Sequence, residues 1–264
     1  MMKNIHQLIP QQIRALIRRE KWVKPTAGLA MGYAQANLVI LPRKYAFDFL
    51  LFCQRNPKPC PLLEVLDPGK FRTEFLSKNA DIRTDIPRYN IYQKGNLVKT
   101  VSDIRSLWKS DFVTFLIGCS FSFEEALLRS KIPIRHIEEN KNVPMFMTNV
   151  PCESAGVFHG PMVVTMRPVP PDKVTRAVQI TARYASVHGA PVHIGDPSKI
   201  GIRNLNRPDF GDPVTLRKEE IPVFWACGVT PQAVVMRAKP ELCITHTPGH
   251  MFISDVLNEE LATY

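Results

Sequence analysis

Two histidines stand four residues apart in "THTPGH", His246 and His250. On a helix that spacing would put both imidazoles on one face, a pattern that suits a metal ion. Thr247, Pro248 and Gly249 lie between them, and Pro-Gly marks a turn. The pair therefore frames a tight loop at the end of the apolar run "LCITHT", where an imidazole can carry a proton. Two more apolar runs end in glycine and small polar groups. "FVTFLIG" (112–118) leads to Cys119, Ser120 and, inside a helical pattern, Glu124. "IPVFWACG" (221–228) leads through Gly228 to Thr230 and Gln232. Cys119 offers a nucleophile if its thiolate is favoured, and otherwise a small buried side chain. Ser120 offers a hydroxyl to a developing oxyanion. Glu124 offers a carboxylate for proton transfer, although it and Glu125 also suit the first turn of a helix. The catalytic candidates are thus His246, His250, Cys119, Ser120 and Glu124.

A second group points to carboxylate binding. "HIGDPSKIGIRNLNRPDFGD" (193–212) carries Asp196, Arg203, Asn204 and Arg207, and an arginine fork grips a carboxylate at two points. "CESAGVFHGP" adds His159. With Gly228, Thr230 and Gln232, these make the expected substrate-binding set. No Walker loop and no G-x-G-x-x-G follows a strand, so no nucleotide cofactor is signalled and no cofactor is expected. A divalent metal held by His246, His250 and Asp196, in a lyase or hydrolase, is the metal-assisted alternative. A non-catalytic binder of small carboxylates is the other.

The elements that must position these groups are legible as periodicities. Strands are expected at 37–42, 61–67, 112–118, 221–228 and 242–247, and helices at 45–55 and over "TPQAVVMRAK". Ser122 with Glu125 reads as a capping box, and Thr230 as an N-cap ahead of Pro231. "NIYQKGNLVKT" reads as a hairpin turning at Gly95-Asn96. "SDVLNEELATY" reads as a closing helix, and the first twenty residues as a short amphipathic helix striped by Leu8, Ile13, Leu16 and Ile17. Unalternating apolar strands followed by helices predict an α/β chain with a Rossmann-like, mostly parallel sheet covered by helices on both faces. Residues 137–205 read as a β-β-α-β block, a smaller α+β domain inserted into a core formed by 1–136 and 206–264. In such a sheet the ligand binds outside the carboxyl ends of the strands, where the three polar turns fall.

Composition narrows the partners. The formal net charge is +10, yet the basic residues are dispersed and form no nucleic-acid-binding signature. A small anionic substrate, steered by that charge, is expected instead. No apolar stretch has membrane-spanning length, and no signal core opens the chain. Six cysteines without a C-x-x-C pair suggest reduced thiols and a cytoplasmic protein. The oligomeric state, homo-oligomer included, stays open.

Five long stretches carry a family likeness: "GCSFSFEEAL" (118–127), "NVPCESAGVFHGPMVVTMRP" (149–168), "PVHIGDPSKIGI" (191–202), "PVFWACGVTPQ" (222–232) and "THTPGHMFISD" (245–255). With "GLAMGYAQANLVILP" (28–42), they resemble the D-glutamate cyclase family, many of whose bacterial members are carried as hydro-lyases. The resemblance implies a lyase of amino acid metabolism that removes water from D-glutamate and closes it to 5-oxo-D-proline.

Overall fold

The computed structural model describes residues 5–78 and 80–263. Its strands are β1 (Tyr33–Pro42), β2 (Leu62–Leu66), β3 (Tyr89–Gln93), β4 (Asn96–Val101), β5 (Phe112–Gly118), β6 (Met145–Pro151), β7 (Pro161–Val169), β8 (His193–Ile194), β9 (Ile221–Ala226), β10 (Cys243–His246) and β11 (Phe252–Leu257). Its α-helices are α1 (Pro10–Arg18), α2 (Arg43–Arg55), α3 (Glu124–Arg129), α4 (Arg135–Glu138), α5 (Val174–Ala182) and α6 (Thr230–Ala238).

Every ladder among these strands is antiparallel, which overturns the expected Rossmann-like parallel sheet. The first sheet runs β2-β5-β1-β10-β3-β4, with β11 also on β1; the second runs β6-β7-β9-β8. The apolar runs that suggested a parallel sheet have another cause. β1 is buried along both faces: Ala34, Ala36, Leu38 and Ile40 enter one core, while Val39 and Leu41 enter another that also holds Phe49 and Phe52 of α2. β5 divides likewise, with Phe112 and Leu116 on one side and Val113, Phe115 and Ile117 on the other. Burial on two faces removes the polar alternation whichever way the neighbouring strands run. The second sheet takes β6, β7 and β8 from residues 137–205 and β9 from beyond them.

Local differences have local reasons. The 95–96 hairpin forms, with Lys94 and Gly95 in the turn. Residues 252–257 form β11, which puts 254–257 in a strand and not in the expected helix, because Phe252 and Ile253 pair along the edge of β1 opposite Ala36 and Gln35. Only 258–261 coil, as a 3-10 turn, and Tyr264 lies outside the described residues. Ser122 does not cap α3: it sits inside a 3-10 turn, Ser120–Phe123, and its Oγ accepts from the Gln35 N–H at 3.0 Å. Thr230 is the first residue of α6 and not its cap, and its hydroxyl donates to the Cys227 carbonyl at 2.7 Å. The N-terminal amphipathic helix is α1, with Ile13 and Ile17 buried; residues 1–4 lie outside the described residues. Among the described residues no helix is long and apolar enough to cross a membrane.

Candidate active site

β10 and β11 lie end to end along one edge of β1, Thr245 opposite Val39 and Phe252 opposite Ala36. The stretch between them leaves the ladder and returns. His250 N–H donates to the Thr247 carbonyl at 2.9 Å, and Gly249 takes φ +83°, a left-handed conformation open to glycine. "THTPGH" is therefore a bulged loop at the middle of the central strand. His246 points inward and is fully buried. Its Nδ1 lies 3.0 Å from the Leu38 nitrogen and 3.3 Å from the Leu38 carbonyl, and its Nε2 lies 3.4 Å from the Gln232 amide nitrogen. Gln232, in the first turns of α6, donates to the His246 carbonyl at 2.8 Å, and its own Oε1 is buried without a partner among the described residues. Burial pushes the His246 pKa down to about 3, so a shuttle near neutral pKa is not what this imidazole supplies. It is a neutral N–H donor. His250 is half-buried and turns back on its own loop, its Nδ1 3.1 Å from the Pro248 carbonyl; burial lowers its pKa as well.

Across β1 the opposite edge carries the end of β5. Asn37 of β1 donates to the Gly118 carbonyl at 2.7 Å. A Cβ on Gly228 would fall 1.9 Å from the Asn37 amide nitrogen, so the Cys227–Thr230 turn lies hard against that side chain. Thr230 fastens the turn to β7 by accepting from the Val163 N–H at 2.9 Å. Cys119 and Cys227 share a small apolar cluster with Met145, Val163 and Met251. Burial raises the Cys119 thiol far above its ordinary value and pushes Cys227 up to about 11, which disfavours a nucleophilic thiolate at either.

The strongest charges meet beside that turn. Arg167 projects from β7 on the same face as Thr165 and is buried, as is Glu124 at the start of α3. The arginine donates through Nε to Glu124 Oε1 at 3.0 Å and through Nη2 to the same oxygen. It also donates through Nη2 to Ser120 Oγ at 3.1 Å and through Nη1 to Thr165 Oγ1 at 3.0 Å. Its guanidinium carbon lies 5.3 Å from the Phe123 ring centre and 5.5 Å from that of Trp225. His136 of α4 completes the set, with Nε2 3.2 Å from Glu124 Oε1 and its ring stacked on Phe121. Burial alone would raise the Glu124 pKa; His136 and Arg167 outweigh it and hold the carboxyl below its ordinary range. His188 is buried beside the Gly118 backbone in a left-handed conformation, φ +84°. Its Nδ1 lies 2.8 Å from the Lys58 carbonyl, and burial lowers its pKa to about 4.

Cys119, Ser120, Glu124, Gly228, Thr230, Gln232 and His246 thus gather around the middle of β1, while His250 stays on its loop. The other candidates lie on the second sheet. Asp196 is exposed and its carboxylate caps Ser198; the adjoining Gly195 bonds to Pro222, at the start of β9 and away from the Cys227 end. Arg203, Asn204 and Arg207 line one surface cavity, and His159 lines another with Arg237. Among the described residues no three His, Cys, Asp or Glu side chains group as metal ligands do. Asn37, His136, Arg167 and His188 were absent from the sequence-based set. Arg167 had a signal, a lone cation inside the apolar strand "PMVVTMRPV". The buried histidines had none.

The D-glutamate cyclase family model matches residues 113–255, a span that contains the whole gathered set, while Asn37 lies outside it. A protein of Thermoanaerobacter sp. (strain X514) is 61% identical over 98% of both chains. One of Geobacillus kaustophilus is 60% identical over 95% of both, and one of Stutzerimonas stutzeri 62% over 96% of both. Each bears the name "Putative hydro-lyase". The solved structure of a nitrogen repressor-like protein from Methanococcus jannaschii aligns with 92% of this chain and 96% of its own, at TM-score 0.38 and 10% identity, too remote to bear on fold or function. The family match and the near full-length relatives agree: this chain belongs to the D-glutamate cyclase family.

Proposed function

We propose that the protein is a hydro-lyase that expels water from a small acidic amino acid, with D-glutamate closing to 5-oxo-D-proline as the favoured reaction. Family membership and the relatives' names support the reaction class. The observation that carries the site assignment is the buried Glu124, kept ionised by Arg167 and His136 and set beside the Ser120 hydroxyl.

Ring closure joins the substrate's ammonium nitrogen to its own side-chain carboxyl carbon. Two protons leave nitrogen, and one carboxyl oxygen departs with them as water. The contacts from Arg167 and His136 fall on Oε1 of Glu124, which leaves Oε2 to relay the two protons that nitrogen sheds to the departing oxygen, one before attack to free the amine and one after the C–N bond has formed. Arg167 occupies a lone pair of Ser120 Oγ, so the serine O–H turns outward to donate to the tetrahedral oxyanion. The neutral imidazole of His246 offers its one N–H as a second donor for a substrate carboxylate. Arg167 positions these groups and does not itself react. Holding the substrate folded supplies much of the rate gain, because the attack becomes intramolecular. Every member of the cluster is buried, so substrate admission requires a local opening. The six unpaired, buried cysteines and the dispersed positive charge fit a reducing cytoplasm and an anionic substrate.

The test incubates the protein with D-glutamate, L-glutamate, 5-oxoproline and a panel of hydroxy acids, and follows loss or gain of water by mass spectrometry. Conversion of an acidic amino acid that disappears in Glu124→Gln and Ser120→Ala supports the proposal. Binding without conversion of any compound overturns it.

A further inference from the structure

The loop that carries the predicted carboxylate-binding arginines is left unused by the buried site, and it forms a cavity of its own. Phe146, Met147, Gly201, Ile202, Arg203, Asn204, Arg207 and Asp209 line an open surface cavity of about 440 Å³, within the size range of small-molecule sites, with Arg203, Asn204, Arg207 and Asp209 exposed. Phe146 and Ile202 are buried and belong to the core beneath it. Among the described residues neither Arg203 nor Arg207 has an ion-pair partner, although Asp209 lines the same cavity. Two cations and one anion thus face one space without satisfying each other.

The backbone around them is fixed. The Ile202 N–H bonds the Pro197 carbonyl at 3.0 Å, and the Arg207 N–H bonds the Asn204 carbonyl at 3.2 Å. Asn204 Oδ1 accepts from the Asn206 N–H at 2.9 Å, which turns its amide N–H₂ outward as a donor. Gly201 takes φ +82°, and a Cβ there would press on Asn149 at 3.1 Å, so the loop sits close on β6. Asp209 is anchored too: its Oδ2 accepts from the Met147 N–H at 2.7 Å, and Oδ1 remains for a ligand.

This charge set matches a zwitterion with an extra carboxylate. We infer that the cavity is a second binding site, distinct from the buried one, for a small amino acid with two carboxylates. Arg203 and Arg207 hold the carboxylates, Asn204 donates to one of them, and Asp209 takes the ammonium. The assignment rests on the cavity's own residues and does not depend on the reaction proposed above.

Calorimetric titration of the intact protein with L-glutamate, and with glutarate as the analogue lacking the ammonium, tests it. Arg203→Gln with Arg207→Gln is expected to weaken both ligands about tenfold or more. Asp209→Asn is expected to weaken L-glutamate several-fold and leave glutarate unchanged; an equal loss of both would mean that Asp209 only holds the loop, and would remove the amino-acid assignment. Undiminished binding in the double arginine variant overturns the inference. D-glutamate conversion by the parent protein is read separately by mass spectrometry, so failure of the buried-site reaction and failure of the surface site give different results.

Discussion

Glu124 and His246 are buried to the same degree and end in opposite states. The carboxylate at Glu124 stays charged, because the Arg167 and His136 side chains meet it at hydrogen-bond and ion-pair distance. The imidazole at His246 stays neutral, because burial penalises its charge and its hydrogen-bond partners are backbone groups and the Gln232 amide, with no carboxylate among them. Burial penalises charge at both places, and the neighbours decide which side chain keeps it. One region is therefore suited to moving protons and the other to donating a fixed hydrogen bond. Asn37 lies between them, touching Gly118 on one flank and packing against Gly228 on the other.

The largest expected effect breaks the charged region. Arg167→Met leaves Glu124 buried without its main partner and is expected to cost about 3–5 kcal/mol of stability, measured by urea unfolding. Adding Glu124→Leu to that variant is expected to restore much of the loss. If the double variant is no more stable than the single, the cost comes from lost packing on Phe123 and Trp225 and not from an unpaired charge.

Glu124→Gln keeps the shape and removes the base. D-glutamate conversion is expected to fall roughly 10²–10⁴-fold with a smaller loss of stability, and Ser120→Ala to fall roughly 10²-fold. Turnover within twofold of the parent in either variant would remove that residue from the chemistry.

Gly228→Ala tests whether the two regions are joined through Asn37. The added methyl collides with the Asn37 amide and is expected to cost about 1–3 kcal/mol in thermal or denaturant unfolding. A silent substitution would mean the turn can move away from β1.

The smallest expected effect is a slope with pH. The folded pKa of His246 lies near 3, below the unfolded value near 6.5, so the unfolded chain binds more protons between them. Stability from this group is complete above pH 6.5 and is lost as the pH falls toward 3, by at most about 1.4 kcal/mol per pH unit. His188 contributes in the same direction down to about pH 4. Glu124, with its pKa lowered on folding, adds to the loss only below about pH 4.5. His246→Gln is expected to flatten the profile between about pH 5.5 and 6.5, where Glu124 is ionised in both states. An unchanged slope there would show that His246 is not held neutral by its surroundings.

Residue pattern alone determined a good deal. The apolar runs placed β2, β5, β9 and β10 close to their observed bounds and found the second half of β1, because a strand's burial is written in its own residues. The glycine-bearing turns after β5, β9 and β10 were readable as polar breaks in those runs, and they do meet around β1. The family likeness rested on the same long motifs. Strand direction was not readable, since burial on both faces yields the same unbroken apolar run in parallel and antiparallel sheets, and only the pairing partner distinguishes them. The same gap misassigned residues 254–257, whose strand depends on the free edge of β1. The partnership of Arg167 with Glu124 spans 43 residues, and that of His246 with Leu38 spans 208. No local pattern specifies a contact at such separation, so the tertiary structure alone decided which carboxylate stays charged, which imidazole stays neutral, and that Asp196, Arg203 and Arg207 face a different surface from the residues they were expected to join.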